Sequence, residues 1–294
     1  MSKIYNFCWV LVLLLTACEP SKQDSASEDT PWSRVEAIYF EESDEKAIEA
    51  IKDYQKKYPG QHLADSYLFL SMAHRNLFQM EEAINYASKC LEIDPGFSYA
   101  KEVRAVNYMR LHDWERADAD ISALEKTLPD DVSIKVLRAS YHEERGDFRK
   151  ALRIIEAALS ADGKNPRLLN FYGFILSQGG AYQEAVPVFE RAMALQVEAS
   201  LLPVLQNNLG FAFFKTGRIE EGTELVKQSI QQDPENAYSY YNLARIYLQT
   251  DQKELMCEQL KLAKKYHFTV LYGNLVENME KLHCSSGGEE KISG

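Results

Sequence analysis

Between Pro166 and Val197, apolar residues recur at the three- and four-residue spacing of a helix, break at Gly179-Gly180, and resume at the same spacing. That alternation predicts two short antiparallel helices joined by a tight turn. Gly173 and Ala185 stand twelve residues apart, one on each predicted helix. Side chains that small let two helix backbones approach closely.

The same pattern recurs along the chain. At steps of 34 residues back from Gly173 stand Ala139, Ala105 and Ser71; forward stand Gly210, after 37, and Ala244, after another 34. A second column runs Ala83, Ala117, Ala151, Ala185, Gly222 and Met256, and a third Cys90, Leu124, Ala158, Ala192, Ser229 and Ala263. Met256 and Leu124 depart from the small-residue rule. The predicted turns hold Gly146, Gly180 and Gly217, with Phe78, His112 and Asp251 at the equivalent positions. Asp94-Pro95, Leu128-Pro129 and Asp233-Pro234 end second helices, because proline lacks the N–H and clashes with the preceding turn.

These columns resemble the tetratricopeptide repeat, a helix–turn–helix unit of 34 residues. The resemblance covers about residues 28–268 and implies an all-α, right-handed solenoid of antiparallel helix pairs. Six full units are expected, at 64–97, 98–131, 132–165, 166–202, 203–236 and 237–268, after a degenerate unit at 32–63. Three extra residues fall within Val197–Leu202; they predict a change of curvature or a boundary between two rigid halves. Leu271, Leu275, Met279 and Leu282 predict a capping helix over 269–283, which a solenoid needs over its last open face. Residues 284–294 are expected to be a disordered tail.

The N-terminus carries a second signal. Lys3 precedes an apolar run from Phe7 to Leu15, too short for the ~20 residues that span a bilayer. It ends in Leu15-Thr16-Ala17-Cys18, which resembles a bacterial lipobox. The resemblance implies a signal peptide at 1–17 and lipidation, including palmitate, at Cys18. Several acyl chains hold a protein at a membrane where one does not. Residues 18–31 follow as a polar tether with a reach of roughly 20 Å. The expected location is the bacterial cell envelope, lipid-anchored at the outer rather than the inner membrane, with the body in the periplasm or at the surface.

Composition narrows the function. The formal charge is −11 with no basic stripe, which argues against nucleic acid as a partner. Apart from Cys8 and Cys18, only Cys90, Cys257 and Cys284 remain, without CxxC spacing, so no disulfide framework is implied. GxSxG, HExxH and phosphate-binding glycine loops are absent; no catalytic residue, metal ligand or cofactor is expected. His142-Glu143-Glu144 reads as a solvated helix end, and Asp118, Asp120 and Glu125 as solvated faces. Cys90 reads as a buried, inert thiol.

What remains is a surface. In tetratricopeptide repeats the first helices line a concave groove through set positions, and carrying these over gives a groove whose last three units are aromatic. Its expected residues are Arg167, Asn170, Phe174, Asn207, Phe211, Phe214, Tyr238, Tyr241 and Arg245. Aromatic and arginine side chains are what protein-binding hot spots favour, and the asparagines could hydrogen-bond a peptide backbone. A phase error of one residue would instead place the rings in the core. The fifth positions of the units hold no lysine, against a clamp for a terminal carboxylate. The resemblance thus implies a non-catalytic scaffold for a protein or peptide partner, with the acidic chain favouring neutral or basic apolar segments. The alternatives are self-association as a homo-oligomer and glycan binding. The membrane enters only through the lipid anchor.

Overall fold

In the computed structural model, residues 30–284 are described, and among them the fold is wholly helical. The expected signal peptide and Cys18 lie outside those residues, as do 285–294. The described chain forms sixteen helices of the tetratricopeptide-solenoid type, α1 to α16. The chain divides into two compact units between Tyr141 and His142.

The first unit begins with α1 (Pro31–Glu41) and α2 (Asp44–Lys57). The last two residues of the expected tether already belong to α1: Thr30 caps it through a reciprocal pair with Ser33, and Pro31 takes its first turn, where no N–H is missed. Three first helices follow, α3 (Leu63–Asn76), α5 (Ser98–Arg110) and the start of α7 (Val132–Glu144). Their partners α4 (Met80–Ile93) and α6 (Trp114–Thr127) run back beside them.

An arginine column ties this unit together. Arg104 of α5 donates from Nε and Nη2 to the two Asp120 oxygens, at 2.8 and 2.7 Å, and from Nη1 to Ser88 Oγ at 3.1 Å. Thirty-four residues on, Arg138 repeats the serine contact with Ser122 but takes its carboxylates, Glu125 and Asp118, from the preceding helix. Asp120 is therefore buried, not part of a solvated face, and Asp118 and Glu125 are only half solvated. The helical spacing places these carboxylates along α6 but does not show the arginines that meet them from the adjacent helices. Arg104→Met leaves the buried Asp120 carboxylate unpaired, a loss of about 3 kcal/mol. Denaturant unfolding should show it, and adding Asp120→Asn should recover part of it.

The second unit holds the rest of α7, then α8 (Phe148–Ala161), α9 (Pro166–Gln178), α10 (Tyr182–Met193), α11 (Leu202–Lys215), α12 (Ile219–Gln232), α13 (Ala237–Gln249) and α14 (Lys253–Lys265). Asp147, Asn165 and Asn236 cap α8, α9 and α13, each accepting from backbone N–H groups of the first turn. The extra residues lengthen the connection from α10 to α11, which runs from 194 to 201 where the other connections between full repeats take four residues. Packing does not break there. Phe189 and Ala192 before the insertion share one core with Leu205, Leu209 and Phe213 after it. The boundary between compact units lies at Tyr141, not at the insertion.

All three small-residue columns are buried through the repeats. They do different work, however. A Cβ on Gly173 would fall 2.6 Å from the Phe189 ring, so a ring occupies the space the glycine leaves. At Gly210 and Gly222 the backbones themselves meet: a Cβ on Gly222 would lie 2.4 Å from the Gly210 carbonyl oxygen. In the corresponding pair of the first full repeat, the Ser71 hydroxyl donates to the Ala83 carbonyl at 2.7 Å. The six turn positions all adopt left-handed backbone, with φ of 57° at Phe78, His112 and Asp251 and 94° at Gly217. Helix reversal demands that conformation whatever the residue, and side chains tolerate it at a cost of about 1–2 kcal/mol each.

The expected single capping helix is two. Gly273, at φ 73°, separates α15 (Phe268–Tyr272) from α16 (Leu275–His283). The buried face runs through Phe268, Tyr272 and Val276; Leu275 and Met279 pack at its edge, and Leu282 is exposed. Cys284, placed in the disordered tail by its sequence, is bonded to Cys257 of α14, with Cα atoms 5.8 Å apart. The absence of an implied disulfide is thereby corrected. The pairing is spatial: α16 folds back along α14, where Lys264 and Glu280 also pair at 2.7 Å. Among the described residues no helix is long and apolar enough to cross a membrane.

Candidate functional site

The first helices α9, α11 and α13 stand side by side in the second unit, and a cavity of about 210 Å³ opens among them. Phe174 of α9, Phe211 of α11, and Tyr238, Tyr241 and Arg245 of α13 line it. These are five of the nine groove residues expected from the sequence. Tyr182 of α10 and Leu275 of α16 complete the wall, together with the amides of Gln178, Asn208 and Asn242. The helical pitch explains the grouping: residues at the same repeat position on adjacent first helices fall on one face.

The remaining four groove residues serve the framework. Asn170 is buried and accepts from Asn208 Nδ2 at 3.0 Å, and buried Asn207 accepts from Asn242 Nδ2 at 3.1 Å. Each pair joins one repeat to the next, so these carbonyls are engaged within the fold. Phe214 packs in the core, its ring 5.5 Å from Phe211. Arg167 pairs with Glu198, which the lengthened α10–α11 connection brings to it.

Four of the cavity rings form two pairs, and the Arg245 guanidinium lies against one ring of each. Tyr182 meets Phe211 edge-on at 6.2 Å, and Tyr238 lies 6.0 Å from Tyr241. The cap closes one end: Phe268 stacks on Tyr238 at 6.0 Å and lies 4.5 Å from Tyr241, and Tyr272 is 5.1 Å from Tyr238. Withdrawal from water pushes the Tyr238 phenol up to about 12, so it stays a neutral hydroxyl across physiological pH. Phe174, Phe211 and Tyr241 are less than a tenth exposed, so they are core and wall at once. The choice between groove and core resolves as both.

The sequence analysis did not single out Tyr182, and it assigned Leu275 to a cap. A cue for Tyr182 was its place directly after the turn, where it must cover the end of the neighbouring first helix.

Glu143, read as solvated, is buried, and burial beside Glu144 holds its carboxyl well above the usual range. Cys90 is a buried free thiol pushed up to about 12 by desolvation, which removes its nucleophilic form. Among the described residues no group of three His, Cys, Asp or Glu is placed to hold a metal.

Comparison with known proteins fits this geometry. Tetratricopeptide-repeat profiles match residues 64–97, 136–196 and 225–263. Those three segments match the tetratricopeptide repeat. Human tetratricopeptide repeat protein 6 is 23% identical over 199 residues, 67% of this chain and 38% of that protein. A tetratricopeptide repeat protein from Parabacteroides merdae superposes with a TM-score of 0.65 at 17% identity, covering 86% of this chain and 97% of that one. Yeast Tom70 gives 0.63 at 15% identity, over 86% of this chain and 53% of its own. The chain thus spans well under two thirds of the human and yeast proteins. At such identities the solved structures establish the fold.

Proposed function

We propose that this chain is a lipid-anchored tetratricopeptide scaffold of the bacterial envelope that docks a protein segment in the aromatic cavity of its second unit. The carrying observation is the cavity itself: rings from three successive repeats, fixed by buried asparagine pairs and by the cap, converge on one preformed recess. A rigid recess loses little ordering entropy on binding. Its volume, below the ~300–1,000 Å³ of sites that enclose a whole small ligand, suits a single anchor side chain.

Export is supported by two independent features. One is Leu15-Thr16-Ala17-Cys18 after a short apolar run. The other is the Cys257–Cys284 bond, since structural disulfides persist in oxidising compartments and are rare in cytosol. Cys18 then carries the lipid, and the outer membrane is the favoured site. Mass spectrometry of the mature N-terminal peptide should find an acylated Cys18; Cys18→Ala should leave the membrane fraction. An unmodified, unprocessed N-terminus would refute the anchor.

Docking is tested with Tyr238→Ala. Partner capture from crosslinked envelopes should fall roughly 30-fold, as for a hot-spot truncation of about 2 kcal/mol. Lys227→Ala, on the exposed side of α12, should leave it unchanged. Equal capture by both variants would reject the cavity as the docking site.

A further inference from the structure

Two cations stand at the cavity without an ion pair among the described residues: Arg245 in its wall and Lys215 beside the wall residue Tyr182. The Arg245 guanidinium lies 4.1 Å from the Phe211 ring centroid and 5.5 Å from that of Tyr241. The Lys215 ammonium lies 5.5 Å from the Tyr182 ring centroid. Those rings, Tyr182 and Phe211, are themselves neighbours. Of Arg245's five N–H donors, one makes a long bond of 3.5 Å to Asn242 Oδ1. Asn242 is held for that role by its own bond to Asn207. Several other arginines are matched with carboxylates, Arg104 with Asp120, Arg138 with Glu125, Arg218 with Glu190 and Glu221, while the exposed Arg153 and Arg191 donate to backbone carbonyls. No carboxylate of the described residues lines the cavity.

An unmatched guanidinium and ammonium at an aromatic recess, in a chain of net charge −11, is a local reversal of sign. Stacking on a ring uses the face of a guanidinium and leaves its edge free for a carboxylate, which it meets with two parallel hydrogen bonds. We infer that the occupant is a peptide segment in which an aspartate or glutamate side chain adjoins a large aromatic or branched apolar residue. The apolar side chain fills the recess, the carboxylate bridges Arg245, and Lys215 adds attraction from the rim. The acidic surround limits the segment to one or two such carboxylates, since a longer acidic run would be repelled. This rests on the docking reading above and replaces the expectation of a neutral or basic segment, which followed from net charge and not from the charge at the site.

The test is selection from a displayed library of random twelve-residue peptides on the immobilised full chain, followed by synthesis of the enriched sequences. The expected result is enrichment of Asp or Glu within two positions of Phe, Tyr, Trp, Leu or Ile. Exchanging that acid for its amide should weaken binding about tenfold. Arg245→Gln should weaken the acidic peptide by a similar factor and leave the amide peptide unchanged. Lys215→Gln, at an exposed position that does not bear on folding, should weaken it about threefold. Enrichment of apolar sequences lacking an acid, or rich in Lys and Arg, would overturn this inference while leaving the docking reading intact. Failure to enrich any peptide on the folded chain would overturn both. Retention of a uronic-acid oligosaccharide, lost in Arg245→Gln, would assign the cations to a glycan and overturn the peptide.

Discussion

Replacing Gly222 by alanine is expected to destabilise the second unit by about 3 kcal/mol, the upper end of the usual overpacking cost. The sign is the informative part. Alanine in place of glycine within a helix ordinarily stabilises by roughly 0.5–1 kcal/mol, and Gly222 lies inside α12. Here the added methyl would sit 2.4 Å from the Gly210 carbonyl oxygen and 2.8 Å from the Phe214 nitrogen. Both obstacles are backbone and cannot rotate away, so α11 and α12 must separate. Because α11 also carries Phe211 and Asn207, the cavity should widen with them. Denaturant unfolding of Gly222→Ala beside Lys227→Ala, an exposed change on the same helix worth within about 0.5 kcal/mol, reads the effect. A neutral or stabilised Gly222→Ala protein would mean that the two helices are not in backbone contact.

Removing the Cys257–Cys284 bond is the second large effect. The link closes 27 residues, for which the chain-entropy relation gives about 3.5 kcal/mol. Repeat arrays couple mainly to nearest neighbours, so the loss should concentrate in the cap. In Cys257→Ser with Cys284→Ser, amide exchange across α15 and α16 should accelerate while α3 to α6 keep their protection. Dithiothreitol on the unaltered protein should give the same pattern. The cap contributes Leu275 to the cavity wall and sets Phe268 and Tyr272 against Tyr238, so peptide binding should weaken as well. Unchanged exchange in the cap would show that packing alone holds it.

The sequence disclosed the fold through repetition. One small residue means little, but three columns in step over six repeats leave one solution, a stack of close-packed hairpins. It also placed Phe174, Phe211, Tyr238, Tyr241 and Arg245 on one face, since equal positions on adjacent first helices must align. What stayed hidden depends on contacts between repeats. Asn170 and Asn207 have the polarity of groove residues, yet each is taken up by an asparagine of the next repeat. Asp120 follows the spacing of a solvated face, yet Arg104 reaches it from the facing helix. The Cys257–Cys284 bond has no spacing signature because it depends on the reversal of the chain after Gly273. In each case the period fixed where a residue stands along its own helix but not which side chain a neighbouring helix presents to it.

The most direct test of the central claim is photocrosslinking in intact cells with benzoylphenylalanine in place of Tyr238, on the cavity, and of Lys227, on the outer face of α12. The docking account predicts one discrete protein adduct at position 238, diminished by Arg245→Gln, and none at 227. No adduct at 238, or the same adducts at both positions, would contradict it.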